Sequence, residues 1–454
     1  MDKKALYAAV NALEPLCTST CRTIWANPET GGNEKKSAAY FRDMLSSEGF
    51  TIKNEPRLEH SFCAEYGSGS PVIAVLGEYD ALPNLSQKSC THREPVVEGA
   101  PGHGCGHNLL GTAAAVAAIA VKRFLEEEKI PGTVRFYGCP EEELLSGKVK
   151  MAYYGMFEGC DLAISWHPMG ANEVFDSGYL ANASAHFDFH GRSSHAAFAP
   201  ELGRSALDAV ELMNVGVNYL REHVTSKARI HYTTDSGGFA PNIVPAYAGS
   251  WYFVRAPYIA DVKEILERIR KIAQGACLMT ETTMDMTIDY GCCEMQENHA
   301  FGDLAYENML EAEAPVYTDE EMAFAKALED TMPQPAVQAA RALYCTETPL
   351  PQNVGERNLY LRNPLTASSD AGDVSHIMPM CAFTTVCWPA VVAPHTWQSA
   401  SSAGSTIGEK GALYAARIMS GIAYDLLTDA DVRKKISEEF ERKKTPYEPM
   451  FNAE

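Results

Sequence analysis

The sequence lacks an uninterrupted apolar stretch long enough to cross a bilayer. The longest run, Leu109–Val121 (LLGTAAAVAAIAV), is broken by Gly111 and Thr112 and falls short of the roughly 20 residues a membrane helix needs. The first residues, MDKKALYAAV, contain no long apolar core of a secretory leader, so export by that route is not expected. Basic residues are scarce as well: Lys and Arg number 38 against 59 Asp and Glu, a formal net charge of −21. Such a chain repels phosphate backbones and anionic lipid, which argues against nucleic acid or a membrane surface as partner. A small anionic substrate then needs a local Arg or Lys to receive it. The thirteen cysteines follow no disulfide-like spacing and are odd in number, as expected of reduced thiols in a cytosol. What remains is an ordinary soluble composition, 46% apolar and 21% charged over 454 residues, which predicts two to three domains or one elaborated core in the cytoplasm.

Apolar spacing predicts helices within 5–26 and 34–49, divided by the turn-rich NPETGG at 27–32. Strand-like runs follow at Phe50–Lys53 and Pro71–Gly77, then an Ala-rich helix over roughly 107–128, ended by Pro131-Gly132. TVRFY (133–137) and DLAIS (161–165) read as buried strands, with a helix near 146–157 between them. This alternation is the pattern of an α/β domain with helices on both faces of a mostly parallel sheet. After about residue 181 the texture changes. Ala185–His190 alternates like an antiparallel strand, Ser205–Val224 and Val262–Ile272 read as helices, Ile243–Val254 as a strand pair and Thr282–Ile288 as a strand. That succession is a ferredoxin-like α+β module. The expected organisation is a discontinuous domain, residues 1–181 and 296–454, interrupted by an inserted domain over 182–295.

Four clusters fall at predicted strand ends or loops, where α/β enzymes place their sites. In GHGCGHN (102–108) one glycine separates Cys105 from His107, so both side chains can turn to one point. A soft thiolate beside an imidazole suits a transition metal, not Ca or Mg; the plain alternative is a Gly-rich start to a helix. CPEEELLSGK (139–148) puts three consecutive carboxylates directly after a strand. They repel one another unless something positive sits among them, or they form a solvated first helical turn. His167 in SWHP follows a strand and His395 lies in APHTWQ; either alone reads equally well as a structural histidine. Together, a thiol, three imidazoles and a carboxylate cluster make the ligand set of a two-metal hydrolytic centre. A neighbouring Glu that is not a ligand can then take a proton from water and pass it to a leaving amine.

GEYDALP (77–83), GHGCGHNLLGTAA (102–114), GTVRFYGCPEEE (132–143), GRSSHAAFAPELGRSALDAVELM (191–213), SDAGDVS (369–375) and PHTWQ (394–398) resemble motifs of the M20 metallopeptidases, in the right order and over nearly the whole chain. The resemblance is greatest to the amidohydrolase branch with a Cys-Gly-His motif. It implies a di-metal hydrolase domain and an inserted dimerisation, or lid, domain. It also implies two divalent ions per subunit, Zn or Mn, held by Cys105, His107, Glu143, His167 and His395. Glu142 takes the general-base role, with Glu141 standing where the family usually has a small residue. Asp80 matches the acid that supports the metal shell. His195 matches the insertion-domain histidine that, in a dimer, reaches the opposite subunit's site and helps hold the tetrahedral oxyanion. Asn242 and Arg255 match positions that grip the substrate's carboxylate, Arg255 as a bidentate fork. The chain departs from the family where glycines usually follow the Glu pair. Leu144 and Leu145 stand there instead and are expected to narrow or grease the floor near the metals.

The implied activity is hydrolysis of the amide bond of an N-acyl amino acid such as p-aminobenzoyl-glutamate. The resemblance implies a homodimer, and a heterodimer remains open because related chains assemble with a second subunit. Aminoacylase or dipeptidase specificity also remains open. So does a catalytically quiet partner subunit, although every aligned ligand and Glu142 are present. A thiol-redox protein using Cys17/Cys21 or Cys292-Cys293 has weaker grounds, since neither pair has the C-x-x-C form.

Overall fold

The computed structural model describes residues 2–175, 179–357 and 367–451. The chain divides into two compact units, Met1–Gly178 with Gln296–Leu365 and Val374–Tyr447, and Tyr179–Met295 with Thr366–Asp373 and Glu448–Glu454. In chain order the strands among the described residues are β1 (Thr51–Asn54), β2 (Phe62–Ser68), β3 (Val72–Glu78), β4 (Gly132–Cys139), β5 (Leu162–Met169), β6 (Glu173–Val174), β7 (Ala181–His190), β8 (Arg229–Ser236), β9 (Tyr247–Ala256), β10 (Thr283–Cys292) and β11 (Met380–Val386).

The larger unit holds a seven-stranded sheet in the order β1-β2-β4-β3-β5-β11-β6. Its centre, β4-β3-β5-β11, is parallel; β1 and β2 at one edge and β6 at the other join antiparallel. All of β11 and all but the first residue of β3 are buried, so both faces of the sheet are covered. That is why these strands read as continuous apolar runs and not as alternating ones. Helix His107–Glu128 packs on β3, β4 and β5. It is long and apolar enough to cross a membrane, yet it is buried along almost its whole length as the core of this unit. Its small residues allow a close approach: a Cβ on Gly111 would stand 2.6 Å from the Glu78 carbonyl oxygen. The N-terminal helical region is two helices, Lys3–Asn11 and Glu14–Trp25. Pro15 sits in the first turn of the second, where its missing N–H costs nothing.

The smaller unit is an antiparallel sheet, β10-β7-β9-β8, with helices Ala206–Leu220 and Ile259–Thr280. In chain order this is strand–helix–strand–strand–helix–strand, with the first and third strands central: the ferredoxin-like arrangement. On β7, Ala181, Ala183, Ala185, Phe187 and Phe189 enter one core with Val210, Met213, Leu266 and Ile269. Asn182, Ser184, His186 and Asp188 alternate with them and take the opposite face. The strand pair expected within Ile243–Val254 is instead β9, beginning at Tyr247 and paired with β8. β8 is an edge strand and almost wholly exposed, so its sequence carries no apolar alternation.

Candidate metal centre

In the larger unit, seven of the expected residues gather at the carboxyl ends of the parallel strands, where open α/β sheets bind their ligands. β3 ends at Glu78, with Asp80 just beyond; β4 ends at Cys139, and the short turn after it carries Glu142 and Glu143. His167 lies near the end of β5, His395 in the loop after β11, and His107 opens the long helix. The helix starts there because Gly106 adopts φ +76°, and a Cβ on it would meet Trp388 at 3.0 Å and Pro168 at 3.1 Å. His395 is itself left-handed, φ +66°. Its N–H donates to the Gly104 carbonyl at 2.9 Å, and the Ser399 hydroxyl donates to the same oxygen at 2.6 Å. The loop carrying Cys105 and the loop carrying His395 are thereby tied together.

Two ligand groups share one sulfur. Cys105, His107 and His167 present ligand atoms within 4.8 Å of one another, and so do Cys105, Glu143 and His395. The His167 Nε2 stands 3.4 Å from Cys105 Sγ, and the His107 and His167 rings are 5.8 Å apart, edge to face. His395 Nε2 lies 3.3 Å from Glu143 Oε2. Outer partners fix which nitrogen of each imidazole is free. His107 Nδ1 donates to Asp80 Oδ1 at 2.9 Å, while Asp80 Oδ2 accepts the Glu143 N–H at 2.8 Å. His167 Nδ1 donates to the Pro168 carbonyl at 2.8 Å. Both Nε2 lone pairs therefore face the cluster. His107 Nε2 and Glu143 Oε1 are buried without a hydrogen-bond partner, as suits atoms meant for a cation. His107 Nε2 also faces Glu78 Oε2 at 3.4 Å and Glu142 Oε2 at 3.8 Å. The donor set of sulfur, imidazole and carboxylate fits divalent transition metals.

The electrostatics agree. Burial pushes the Cys105 thiol well up, with Glu143 adding to it. Burial also raises the Glu143 carboxyl to about 7, against the opposing pull of His107. Burial lowers His167 to about 4 and lowers His395. For His107 burial acts downward, but Cys105 and Asp80 outweigh it and hold the imidazole well above its ordinary value. Asp80 is lowered despite its burial, because His107 beside it prevails. A buried cluster so rich in anionic donors holds protons that a divalent ion displaces.

The smaller unit carries the other three residues. His195 forms a bridge with Ile243, and the Ala196 N–H donates to the Asn242 carbonyl at 3.0 Å, so His195 and Asn242 are brought together. His195 Nδ1 accepts the N–H groups of Ala197 at 3.2 Å and Phe198 at 3.1 Å. Its proton therefore sits on Nε2. Arg255 is half-buried on β9, opposite Asn182 on one side and Arg229 on the other.

Two residues of the centre carry no signal of their own in the sequence, Glu78 and Lys148. Fully buried Lys148 pairs with Glu78 at 2.6 Å. The positive charge demanded among Glu141–Glu143 comes from Lys150, which pairs with Glu141; that carboxylate also accepts the Ser146 hydroxyl at 2.7 Å. Of the two leucines after the Glu pair, Leu144 is half-exposed and lies against Gly31, whose added Cβ would be 2.9 Å from Leu144 Cγ. Leu145 adopts φ +55°, a conformation that favours glycine.

Comparison with known proteins gives matching results. Residues 181–279 match the M20 peptidase dimerisation domain. The chain is 41% identical over 451 residues to one of the subunits of p-aminobenzoyl-glutamate hydrolase from Escherichia coli (strain K12), covering 96% of this chain and 94% of that one. It is 29% identical over 281 residues to the Xaa-Arg dipeptidase of Mus musculus, 58% of this chain and 61% of that one. Among solved structures, a dinuclear metal-binding peptidase of the M20 family from Bacillus subtilis superposes with TM-score 0.53 at 18% identity, covering 89% of this chain and 98% of that one. An aminobenzoyl-glutamate utilization protein from Klebsiella pneumoniae does so with TM-score 0.56 at 15% identity, covering 90% and 98%. Both structural likenesses concern the fold.

Proposed function

The chain belongs to the M20 family of metallopeptidases and amidohydrolases, and from that membership we propose that it hydrolyses the amide bond of an N-acyl amino acid, p-aminobenzoyl-glutamate foremost. The observation that carries this reading is the convergence of Cys105, His107, Glu143, His167 and His395, with Glu142 beside them. The near full-length identity to a p-aminobenzoyl-glutamate hydrolase chain supports the substrate, and the partial likeness to a dipeptidase keeps short peptides as the second class. Cys105, His107, Glu143, His167 and His395 would hold the two ions. Two divalent ions there, Zn or Mn, supply Lewis-acid polarisation of the scissile carbonyl and acidify the attacking water.

The chain's own residues do the rest. Glu142 takes the proton of that water and returns it to the leaving amine. Asp80 keeps His107 in the tautomer that presents Nε2. The His195 Nε2–H, fixed as a donor by the two backbone groups at Nδ1, steadies the oxyanion. His195 acts across a dimer formed through the 182–295 domain, which matches a dimerisation domain over most of its length. Arg255 and Asn242 receive the carboxylate, and Arg255 supplies a cation that a chain of net charge −21 offers sparingly. We assign a homodimer; the relative's description as one subunit of a hydrolase makes a second, different chain the alternative. Thirteen free cysteines fit the reducing cytoplasm.

The test is Glu142→Gln, near-isosteric but unable to accept the proton. It is expected to keep fold and metal and to lose about 10²–10⁴ in turnover. Loss of metal with activity retained per bound ion would exchange the roles of Glu142 and Glu143.

A further inference from the structure

A second set of metal-ligating side chains lies outside the centre just described and shares no residue with it. In the irregular loop before GHGCGHN, Cys90, His92 and Glu94 alternate in CTHRE. Their ligand atoms lie within 4.8 Å of one another, and His92 Nε2 is 3.0 Å from Glu94 Oε2. The segment is a bent loop, closed by the Lys88 N–H donating to the Glu94 carbonyl at 2.9 Å, and it holds such a convergence only if its backbone is pinned.

Here it is pinned twice. The buried Gln87 side chain donates through Nε2 to the carbonyls of Lys88 at 3.0 Å and His92 at 2.8 Å, lies 3.5 Å from Cys90 Sγ, and accepts the Glu94 N–H on Oε1 at 3.0 Å. Ser401 then clamps Cys90 from the other side: its hydroxyl accepts the Cys90 N–H at 2.9 Å and donates to the Cys90 carbonyl at 2.6 Å. Lys88 pairs with Glu94 Oε1, which leaves Oε2 turned toward His92. Three ligands of sulfur, nitrogen and oxygen, half-exposed or exposed so that an ion can reach them, are thus oriented before any ion arrives.

We propose that Cys90, His92 and Glu94 form a separate transition-metal site, for Zn²⁺ or an ion of like softness, with water completing a tetrahedron. Binding displaces the Cys90 thiol proton, which leaves to solvent, while His92 presents Nε2 with its one proton on Nδ1. All three ligands lie within five residues, so an ion here stiffens the 90–94 loop itself, whose Cys90 backbone Ser401 of helix Trp397–Ala403 already holds. The site is a staple, not a reaction centre.

The experiment uses the full chain, stripped with chelator and dialysed to equilibrium against zinc buffered at micromolar free concentration, with zinc per chain measured for the wild type and for Cys90→Ala/His92→Ala. The double variant is expected to hold one zinc fewer while its amidase turnover is unchanged. The difference is read whatever the catalytic cluster holds, so failure of the proposed function does not touch it. Equal zinc content in the two proteins overturns the site. Cobalt-loaded Cys105→Ser gives a second readout: it should still show a thiolate-to-cobalt absorption band, abolished by adding Cys90→Ala. Absence of that band in Cys105→Ser overturns the proposal even where the double variant folds poorly.

Discussion

Replacing Asp80 with Asn changes one oxygen to a nitrogen and should loosen the metal centre without touching a ligand. Both partners of the Asp80 carboxylate are donors: His107 Nδ1 at 2.9 Å and the Glu143 N–H at 2.8 Å. A carboxylate accepts from both; an amide can accept from only one. If its NH₂ faces His107, the ring must carry its proton on Nε2, and the lone pair aimed at the cluster is lost. If the NH₂ faces the Glu143 N–H, two donors oppose each other and the turn holding Glu143 loses its anchor. Removing outer partners of metal-binding histidines typically costs 10–100-fold in affinity, about 1.4–2.8 kcal/mol. Competition with a chromogenic chelator measures it directly, with turnover followed as metal is added back. Weakened affinity with activity partly restored by excess metal is expected. An Asp80→Asn protein that binds metal as tightly as the wild type, at the same stoichiometry, would refute the reasoning that Asp80 sets the His107 tautomer.

Lys148→Met strands the buried Glu78 carboxylate and should cost about 3–5 kcal/mol of stability, most of it recovered in Lys148→Met/Glu78→Gln; a single variant that melts with the wild type would remove this pair from the energetics. His195→Ala should lower kcat more than it raises KM, because its donor acts on the transition state. Mixing His195→Ala with Glu142→Gln subunits should recover some activity, since one site of the mixed dimer draws both groups from intact copies; mixed dimers without recovery would place His195 in its own chain's site or outside catalysis. Arg255→Lys should raise KM sharply for a substrate with a free carboxylate and little for its capped amide, since a point charge does not replace the planar fork; equal effects on both substrates would take Arg255 off the carboxylate.

The ligand cluster is legible in the sequence for a physical reason. Each member sits where a buried apolar run gives way to a loop, and a thiol, imidazoles and paired carboxylates are rare in such places unless something binds them. Glu78 and Lys148 are hidden by the same logic, one as the last residue of an apolar strand and the other in a helix turn that looks solvated; their pairing helps make burial tolerable. β8 (RIHYTTDS) is silent because an edge strand exposed along almost its whole length, with few apolar side chains, leaves no period-2 signal. β2 (FCAEYGS) is short and ends at the surface, its buried residues confined to the first three. Leu145 accepts a left-handed conformation costing about 1–2 kcal/mol in a residue with a Cβ, and Leu144 turns to Gly31.

The stitch between His395 and Gly104 bears on how the protein is made. A growing chain presents Cys105, His107, Glu143 and His167 long before His395 exists, and the whole inserted unit must emerge between them. An ion met early finds half a cage. Only when the last ligand loop docks on the first, through one backbone bond and the Ser399 hydroxyl, is the cage closed. Capture at the group that includes His395 thus comes at the end of folding and rewards only the finished domain, by about 4.1 kcal/mol when free metal stands a thousandfold above its dissociation constant. In a metal-starved cell the chain would still be synthesised and folded, but without that increment its larger unit would open more often, and proteolysis would thin out copies that are already inactive.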